Sequence, residues 1–238
     1  MKRESGVDRW DREWLQYLCT EDPSAHLRSY AQLGGEVLDP ERVRAMSAVE
    51  ILDFAPITGG GSWFVWADGA SLVGRDVGEF GCGCGFLGKQ ISQISRSYTG
   101  FDVSRLALRI AQLVSPETCS YVHVDDLSGW PAESLDIVVG RHFFIHLNRK
   151  RLRDVLLSAR RLLRAGGEVR ADFWCSPPRR ASGTVLSPGA DDAEAAPSAA
   201  YEYELREIQE IAGACGFEVA GSERMPSVQR TFVKLVRH

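Results

Sequence analysis

The sequence predicts an α/β fold with a doubly wound, mostly parallel sheet that is covered by helices on both faces. From about residue 73 onward, short apolar runs alternate with longer segments of helical periodicity, as in the crossover units of a parallel sheet. A turn rich in glycine follows the first of these runs and leads into a helix. Two more apolar runs close the chain, and they predict a C-terminal antiparallel strand.

Residues 1–72 are predicted to form a helical N-terminal segment that acts as a lid or helps to bind the substrate. Trp10, Trp14 and Leu18 recur at intervals of four residues, which places them on one face of a helix. That face either packs on the core or covers the bound ligand, and the sequence leaves both roles open. Asp39-Pro40 is a favourable start for another helix, because Asp caps the first N–H groups and proline fits the first turn.

Residues 73–238 are predicted to form the sheet domain. Its elements follow from apolar runs of strand length and from longer periodic segments of helix length. Gly216 ends the last predicted helix. Strands are predicted at 75–80, 97–102, 120–125, 135–140, 167–174, 217–223 and 231–236, and helices at 86–96, 104–114, 149–164 and 202–215.

Within this domain, residues 176–200 are predicted to form a long active-site loop. The segment is rich in Pro, Ala, Ser and Asp and has no apolar periodicity. A loop of this length inside a compact domain is usually functional or disordered. It follows a strand whose end is predicted to lie at the edge of the active site.

The composition is typical of a compact globular protein, with 238 residues of which 44% are hydrophobic and 25% charged. The net charge of −4 provides no global positive field for nucleic acid or an anionic membrane. No signal peptide or membrane span is recognisable, and the six cysteines are scattered along the chain. These features predict a cytoplasmic monomer or homodimer with reduced cysteines and no nucleic-acid or membrane partner.

The segment from Val77 to Gly85 carries the strongest signal for a ligand site. Glu79 lies near the end of the first strand, and Gly81, Gly83 and Gly85 follow at alternate positions before a helix. Glycine allows positive φ angles and lets the backbone approach a ligand closely. Because ligands of open parallel sheets bind beyond the carboxyl ends of the strands, this turn is predicted to contact one there.

Two cofactor classes fit these glycines. Gly83, Gly85 and Gly88 match the GxGxxG pattern of dinucleotide sites, which is a weak signal by itself. Asp102 suits hydrogen bonding to ribose hydroxyls, but both NAD(P) and S-adenosylmethionine (SAM) contain ribose. Glu79 separates the two classes, since its negative charge repels a pyrophosphate and suits the ammonium and sulfonium groups of SAM.

The ordered motifs within residues 73–175 resemble those of class I SAM-dependent methyltransferases, which have a Rossmann-like fold. In that family an acidic residue precedes the glycine turn, a second acidic residue binds the ribose, and a third motif binds the adenine edge. One motif departs from the pattern, because Arg164-Ala165-Gly166-Gly167 stands where the family more often has Lys-Pro-Gly-Gly. The matching segments are Glu79–Gly85, Phe101–Ser104, Val124–Leu127, Leu135–Val139 with His146-Leu147, and Leu162–Gly167.

The resemblance implies that the chain binds SAM and releases S-adenosylhomocysteine (SAH) after methyl transfer. The cofactor-binding residues that it implies are Glu79, Gly81, Gly83, Gly85, Asp102, Val103, Asp125, Asp126, Leu127 and Arg141. Two alternatives stay open: an NAD(P)-dependent oxidoreductase, and a methyltransferase-like protein that binds SAM for a non-methylating, cyclase-type reaction. The second stays open because a fold does not determine its chemistry.

His142 and His146 follow the fourth strand at the edge of the predicted site and are candidates for catalysis. A histidine there can take a proton from a substrate heteroatom near neutral pH, although His146 also fits a structural turn residue. No metal site is predicted, since Cys82 and Cys84 lack further ligands at zinc spacing. The aromatic run Trp63–Trp66 suits a small-molecule pocket, so the predicted acceptor is a natural-product intermediate methylated on oxygen, nitrogen or carbon.

The helix predicted at 149–164 is rich in arginine. Its arginines form either a solvated face or a patch that contacts RNA. The negative net charge favours the solvated face, because nucleic-acid binding depends heavily on neutralising phosphates.

Overall fold

A computed structural model gives the fold and describes residues 10–11, 69–174, 185–186, 189, 200–225 and 230–238. Most of the predicted N-terminal segment and most of the predicted 176–200 loop lie outside the described residues. In the described ranges, no helix is long and apolar enough to cross a membrane.

The described chain forms a seven-stranded sheet and a separate pair of two-residue strands. The strands are β1 (Asp76–Phe80), β2 (Ser97–Asp102), β3 (Cys119–His123), β4 (Leu135–Gly140), β5 (Leu163–Trp174), β6 (Val185–Leu186), β7 (Ala200–Tyr201), β8 (Phe217–Met225) and β9 (Arg230–Arg237). The large sheet has the order β3-β2-β1-β4-β5-β9-β8. β1 to β5 pair in parallel, whereas β9 is antiparallel to both β5 and β8. The predicted mostly parallel sheet with a C-terminal antiparallel strand is therefore confirmed.

Helices connect the parallel strands and cover the sheet. They are α1 (Gly69–Leu72), α2 (Phe86–Ile91), α3 (Arg105–Val114), α4 (Arg149–Leu162) and α5 (Leu205–Ala214), with short 3-10 turns at Val124–Gly129 and Phe144–His146. The order of the strands reverses between β1 and β4, because β2 and β3 lie on one side of β1 and β4 on the other. Such a switch point opens a crevice at the carboxyl ends of the two central strands.

The sheet is buried on both faces because its side chains alternate between two apolar clusters. In β4, Val138 packs with Phe144 and Phe173, whereas its neighbours Ile137 and Val139 pack in a second cluster. Successive side chains of a strand point to opposite faces, so the two clusters lie on opposite sides of the sheet. This burial on both sides is the expected environment of parallel strands and confirms the doubly wound arrangement.

Several element boundaries differ from the prediction. The helix predicted at 86–96 ends at Ile91, because the chain then turns, with the N–H of Ile94 bonded to the Ile91 carbonyl, to enter β2. The strand predicted at 120–125 ends at His123, whose side chain caps the following 3-10 turn. β5 begins at Leu163, directly after α4, rather than at residue 167.

Two arginines of α4 contact other parts of the fold. Arg149 contacts Glu207 of α5, and Arg161 donates to the carbonyls of Leu127 and Trp130. Arg164, at the start of β5, pairs with two aspartates at the amino edge of the sheet. These contacts link α4 and the start of β5 to neighbouring elements.

Candidate cofactor and acceptor site

The carboxyl ends of the parallel strands bring the predicted site residues to one edge of the sheet. In β1, Glu79 lies opposite Gly100 of β2 and Val139 of β4. Asp102 ends β2, and Arg141 and His142 follow β4. The site is therefore assembled from three strands around the switch point.

The glycine turn after β1 has a shape that other residues would disturb. Gly81 and Gly85 have φ angles of 67° and 79°, in the left-handed region that favours glycine. A Cβ atom at Gly81 would lie 2.4 Å from the Phe143 ring, and one at Gly85 would lie 2.4 Å from the Tyr121 hydroxyl. The turn thus needs glycine both for its backbone conformation and for its packing.

Asp102 is a buried carboxylate that is fixed by the backbone on both sides. Its Oδ2 accepts a hydrogen bond from the N–H of Gly83 at 2.9 Å, and its Oδ1 accepts one from the N–H of Ser104 at 2.8 Å. Burial raises the pKa of Asp102, and these hydrogen bonds oppose the rise. Each oxygen keeps a second lone pair, so the group has the acceptor capacity to bind a pair of hydroxyls.

Glu79 is a second buried carboxyl group, 2% exposed, next to the glycine turn. Burial raises its pKa to about 7, while a hydrogen bond from the Tyr98 hydroxyl and the positive charge of Arg141 oppose the rise. The Tyr98 oxygen lies 2.6 Å from the Glu79 Oε2. A carboxylate in this position is unfavourable for a phosphate and favourable for a cationic group.

His123, at the end of β3, connects the loop after β2 with the 3-10 turn at Val124–Gly129. Its Nε2 donates to the Val103 carbonyl at 2.9 Å, and its Nδ1 accepts from the N–H of Asp125 at 3.3 Å. Asp125 and Asp126 are exposed at this edge, whereas the Leu127 side chain packs against the main core. Sequence reasoning gave His123 no role, and only its contact across β2 and β3 reveals one.

A polar cluster that centres on a buried carboxyl group lies at the carboxyl ends of β4 and β5. Asp172, 1% exposed, accepts from the backbone N–H of His142 at 3.0 Å and from the Nε of Arg230 at 3.1 Å. Burial raises the pKa of Asp172 to about 6, and the charge of Arg230 opposes the rise. The Nη2 of Arg230 lies 3.0 Å from the His142 Nδ1, and its guanidinium carbon lies 5.0 Å from the centre of the Trp174 ring.

Trp10 and Asp11 of the N-terminal segment contact both parts of this edge. The Trp10 ring meets the His146 ring edge-on, with centroids 5.4 Å apart. Asp11 accepts from the Ser104 hydroxyl at 2.5 Å and from the N–H of Leu106 at 3.3 Å. Trp14, Leu18 and Trp63–Trp66 lie outside the described residues.

The structure thus gathers Glu79, the glycine turn, Asp102 and Arg141 around the switch point, and it places His142 and His146 beside them. Besides His123, sequence reasoning missed Asp172 and Arg230, which contact His142. Among the described residues, no group of three or more potential metal ligands is present.

A family model described as a methyltransferase domain matches residues 79–169. The match begins at Glu79, includes the glycine turn and Asp102, and ends in β5, so it covers the edge of the sheet described above. Residues 79–169 are a class I SAM-dependent methyltransferase domain.

Two curated relatives of this methyltransferase domain are ubiquinone biosynthesis O-methyltransferases. The protein from Cupriavidus pinatubonensis is 30% identical over 110 residues, which are 44% of this chain and 43% of that protein. The protein from Nitrosococcus oceani is 27% identical over 105 residues, which are 42% of this chain and 44% of that protein. The chain therefore matches less than half the length of these relatives.

Solved structures share the fold of the methyltransferase domain at low sequence identity. Magnesium protoporphyrin IX methyltransferase from Synechocystis, with bound SAM, has a TM-score of 0.53 and 18% identity over 99% of this chain and 93% of that chain. A SAM-dependent methyltransferase from Mesorhizobium loti has a TM-score of 0.57 and 15% identity over 74% of this chain and 99% of that chain. These structures match a longer part of this chain than residues 79–169, the segment that the family model matches.

Proposed function

We propose that this chain is an enzyme that transfers a methyl group from SAM to an oxygen atom of a small-molecule acceptor. The observation that carries the proposal is the geometry of Asp102, which is buried at the end of β2 and bonded to the N–H of Gly83. This bond places a carboxylate beside the open backbone turn, where it suits the ribose diol of SAM. Glu79 supports SAM over a dinucleotide, because a pyrophosphate would meet its negative charge at the same turn.

The residues that would hold SAM divide by the part of the cofactor they suit. Asp102 accepts from the ribose hydroxyls, and the glycine turn provides close backbone contact. Glu79 and Arg141 face the charged amino-acid portion, whose ammonium and carboxylate groups match a negative and a positive side chain. The residues proposed for the adenine edge are Val103, Asp125, Asp126 and Leu127.

Oxygen is the proposed acceptor atom because both curated relatives are O-methyltransferases. When bound, SAM supplies a methyl group that is activated by its sulfonium. The protein's own contribution is to position the acceptor and exclude water. We place the acceptor over β4 and β5, beside His142, His146 and Trp10, because the cofactor residues occupy the ends of β1 to β3. A natural-product intermediate is the proposed acceptor class, since a pocket with aromatic side chains suits a small, partly apolar molecule.

Calorimetry with the purified chain tests the cofactor part of this proposal. We expect SAM and SAH to bind and NADH not to bind. SAH release is then measured with a panel of phenols, carboxylic acids, amines and alcohols. Tight NADH binding without SAM binding would overturn the proposal, and SAM binding with conversion of an acceptor but no methyl transfer would point to the cyclase-type alternative.

Replacing Asp102 by alanine tests the residue on which the proposal rests. The change removes a charged acceptor from the ribose diol, a loss of about 1.5–3 kcal/mol. SAM and SAH affinity should therefore fall by roughly 10- to 150-fold. Asp154→Ala is the matched control, because Asp154 lies on α4 and pairs with Lys150 away from the site. Equal affinity in wild type and Asp102→Ala would contradict the assignment.

A further inference from the structure

Tyr98 and Glu79 form a buried pair of polar side chains on neighbouring strands. Tyr98 lies in β2 opposite Val77 of β1, and Glu79 lies two residues farther along β1. The two residues are 1% and 2% exposed, and the Tyr98 hydroxyl oxygen lies 2.6 Å from the Glu79 Oε2. When Glu79 is ionised, the tyrosine must be the donor, because a carboxylate only accepts hydrogen bonds. The hydroxyl therefore stabilises the charged form of a buried acid.

The fold makes room for the Tyr98 ring at a glycine of α2. A Cβ atom at Gly88 would lie 2.4 Å from the Tyr98 Cζ and 2.6 Å from its hydroxyl oxygen. The ring also meets the Tyr121 ring edge-on, with centroids 5.9 Å apart. Gly88 is the third glycine of the GxGxxG match, so in this chain that glycine admits a tyrosine that reaches Glu79.

Tyr98 is the one hydrogen-bond donor to the Glu79 carboxyl group within the described residues. The other titratable or charged side chains that interact with Glu79 electrostatically are Cys82 in the glycine turn, Asp102 at the end of β2, Tyr121 in β3 and Arg141 after β4. Asp102 disfavours the ionised form of Glu79, and Arg141 favours it. The Tyr98 bond occupies one of about four lone-pair sites of the carboxylate. Glu79 thus keeps acceptor capacity for a cationic ligand.

Burial and the tyrosine act on Glu79 in opposite directions. Burial raises the pKa of Glu79 to about 7, and the hydrogen bond from Tyr98 is the largest of the effects that oppose the rise. Without a ligand, the carboxyl group is therefore partly protonated near neutral pH. A cation next to it favours the ionised form. A ligand that binds only the ionised form has an apparent affinity that is reduced by the protonated fraction.

We propose that Tyr98 is a positioning residue for the cofactor, whose hydroxyl holds the Glu79 carboxylate ready for the ammonium group of SAM, and that cofactor binding releases the Glu79 proton to solvent. The proton passes to the buffer, and no covalent bond to the ligand forms or breaks. This inference rests on the proposed function and adds a proton to its binding step. It makes the affinity for SAM and SAH depend on pH below neutrality.

The released proton can be counted directly with SAH, which binds without turnover. Saturating SAH is added to the protein in weakly buffered solution, and a pH indicator reports the proton release. Glu79→Gln is the comparison, because glutamine does not titrate and the ligand's own ionisation is common to both proteins. We expect wild type to release about one proton more than the variant at pH 6 and a much smaller excess at pH 8. Equal proton release at pH 6 would overturn the inference.

Tyr98→Phe tests the positioning role, since it keeps the ring beside Gly88 and removes only the hydroxyl. Loss of a hydrogen bond to a charged group should move the midpoint of the SAH affinity profile about one pH unit higher. SAH affinity at pH 6 should then fall roughly tenfold, and the difference from wild type should narrow toward pH 8.5. Calorimetry across this range measures the profile. An unchanged midpoint, or a loss of affinity that is equal at every pH, would contradict the role of Tyr98.

Tyr121→Phe is the matched control. It removes the hydroxyl of a neighbouring tyrosine, which contacts Ser115 at 2.6 Å instead of Glu79, and it should keep the wild-type midpoint. The proton count of Glu79→Gln is independent of Tyr98→Phe, so the inference stays testable if that variant fails to fold. Absence of SAH binding by wild type at pH 8 would overturn both the proposed function and this inference. SAH binding without a proton from Glu79 would overturn this inference alone.

Discussion

At the scale of single residues, Glu79 is almost completely buried and lies next to the glycine turn. An unfolded glutamate has a pKa of 4.5, whereas burial raises the pKa of Glu79 to about 7. Folding therefore favours the protonated side chain between these two values. A cation bound nearby favours the ionised side chain, so ligand binding and folding act on this group in opposite directions.

We predict that Glu79→Gln removes a pH dependence of stability. The folded state binds more protons than the unfolded state between pH 4.5 and about 7, so the stability of wild type relative to the variant falls as pH rises through this window. At about 1.4 kcal/mol for each unit of pKa change, the difference reaches on the order of 3 kcal/mol. Urea unfolding at pH 5 and pH 8, without SAM, measures it in both proteins.

The variant is a suitable comparison because glutamine can still accept the hydrogen bond from Tyr98. Asp172 changes stability in the same direction, since burial raises its pKa to about 6, but it is present in both proteins and cancels. A stability difference that is constant from pH 5 to pH 8 would show that Glu79 titrates in its ordinary range.

At the scale of elements, the glycine turn between β1 and α2 is tightly constrained. Gly85 caps α2 with a φ angle of 79°, and its missing Cβ leaves room for the Tyr121 hydroxyl. The same tyrosine hydroxyl lies 2.6 Å from the Ser115 hydroxyl. Any side chain at Gly85 must therefore displace a tyrosine that other contacts hold in place.

We predict opposite effects for two glycine-to-alanine substitutions. Gly85→Ala should destabilise the protein by at least about 1–2 kcal/mol from the left-handed conformation alone, and it should weaken SAM binding. Gly213→Ala should stabilise it by about 0.5–1 kcal/mol, because Gly213 lies in α5 with no atom within 4 Å of the added Cβ. Thermal unfolding of both variants measures these changes in stability. A stable Gly85→Ala variant that binds SAM normally would contradict the proposed role of the glycine turn in cofactor binding.

Elements with local signals were predictable, and contacts between distant elements were not. β1 to β5 could be predicted from the apolar runs and the glycine turn, because strand burial and positive φ angles depend on residues that are close in sequence. The cluster around His142 joins Asp172 to Arg230, which is 58 residues away, and this pairing exists only because β9 inserts beside β5. One signal was visible in the sequence: Asp172 is an acid within an apolar strand end, and a buried acid requires a partner.

At the scale of the whole molecule, Trp10 and Asp11 contact the two sides of the proposed site. Asp11 bonds to Ser104 and Leu106 at the start of α3, shortly after Asp102, which is proposed to bind the ribose. The adjacent Trp10 meets the ring of His146, which follows β4. Two consecutive residues thus contact both sides of the switch point, as expected if residues 1–72 cover the site. We propose that this segment retains SAM.

We predict that Asp11→Ala accelerates SAM dissociation. The substitution removes the acceptor for two hydrogen bonds, a loss of about 1–3 kcal/mol when the acceptor is charged and partly buried. If most of this loss appears in the dissociation rate, SAM leaves about 5- to 150-fold faster. Stopped-flow displacement of SAM by excess SAH, followed by tryptophan fluorescence, measures the rate. Asp11→Asn keeps a carbonyl acceptor and should stay close to wild type, which separates the hydrogen bonds from the charge. An unchanged rate in Asp11→Ala would mean that the segment rests beside the site without covering it.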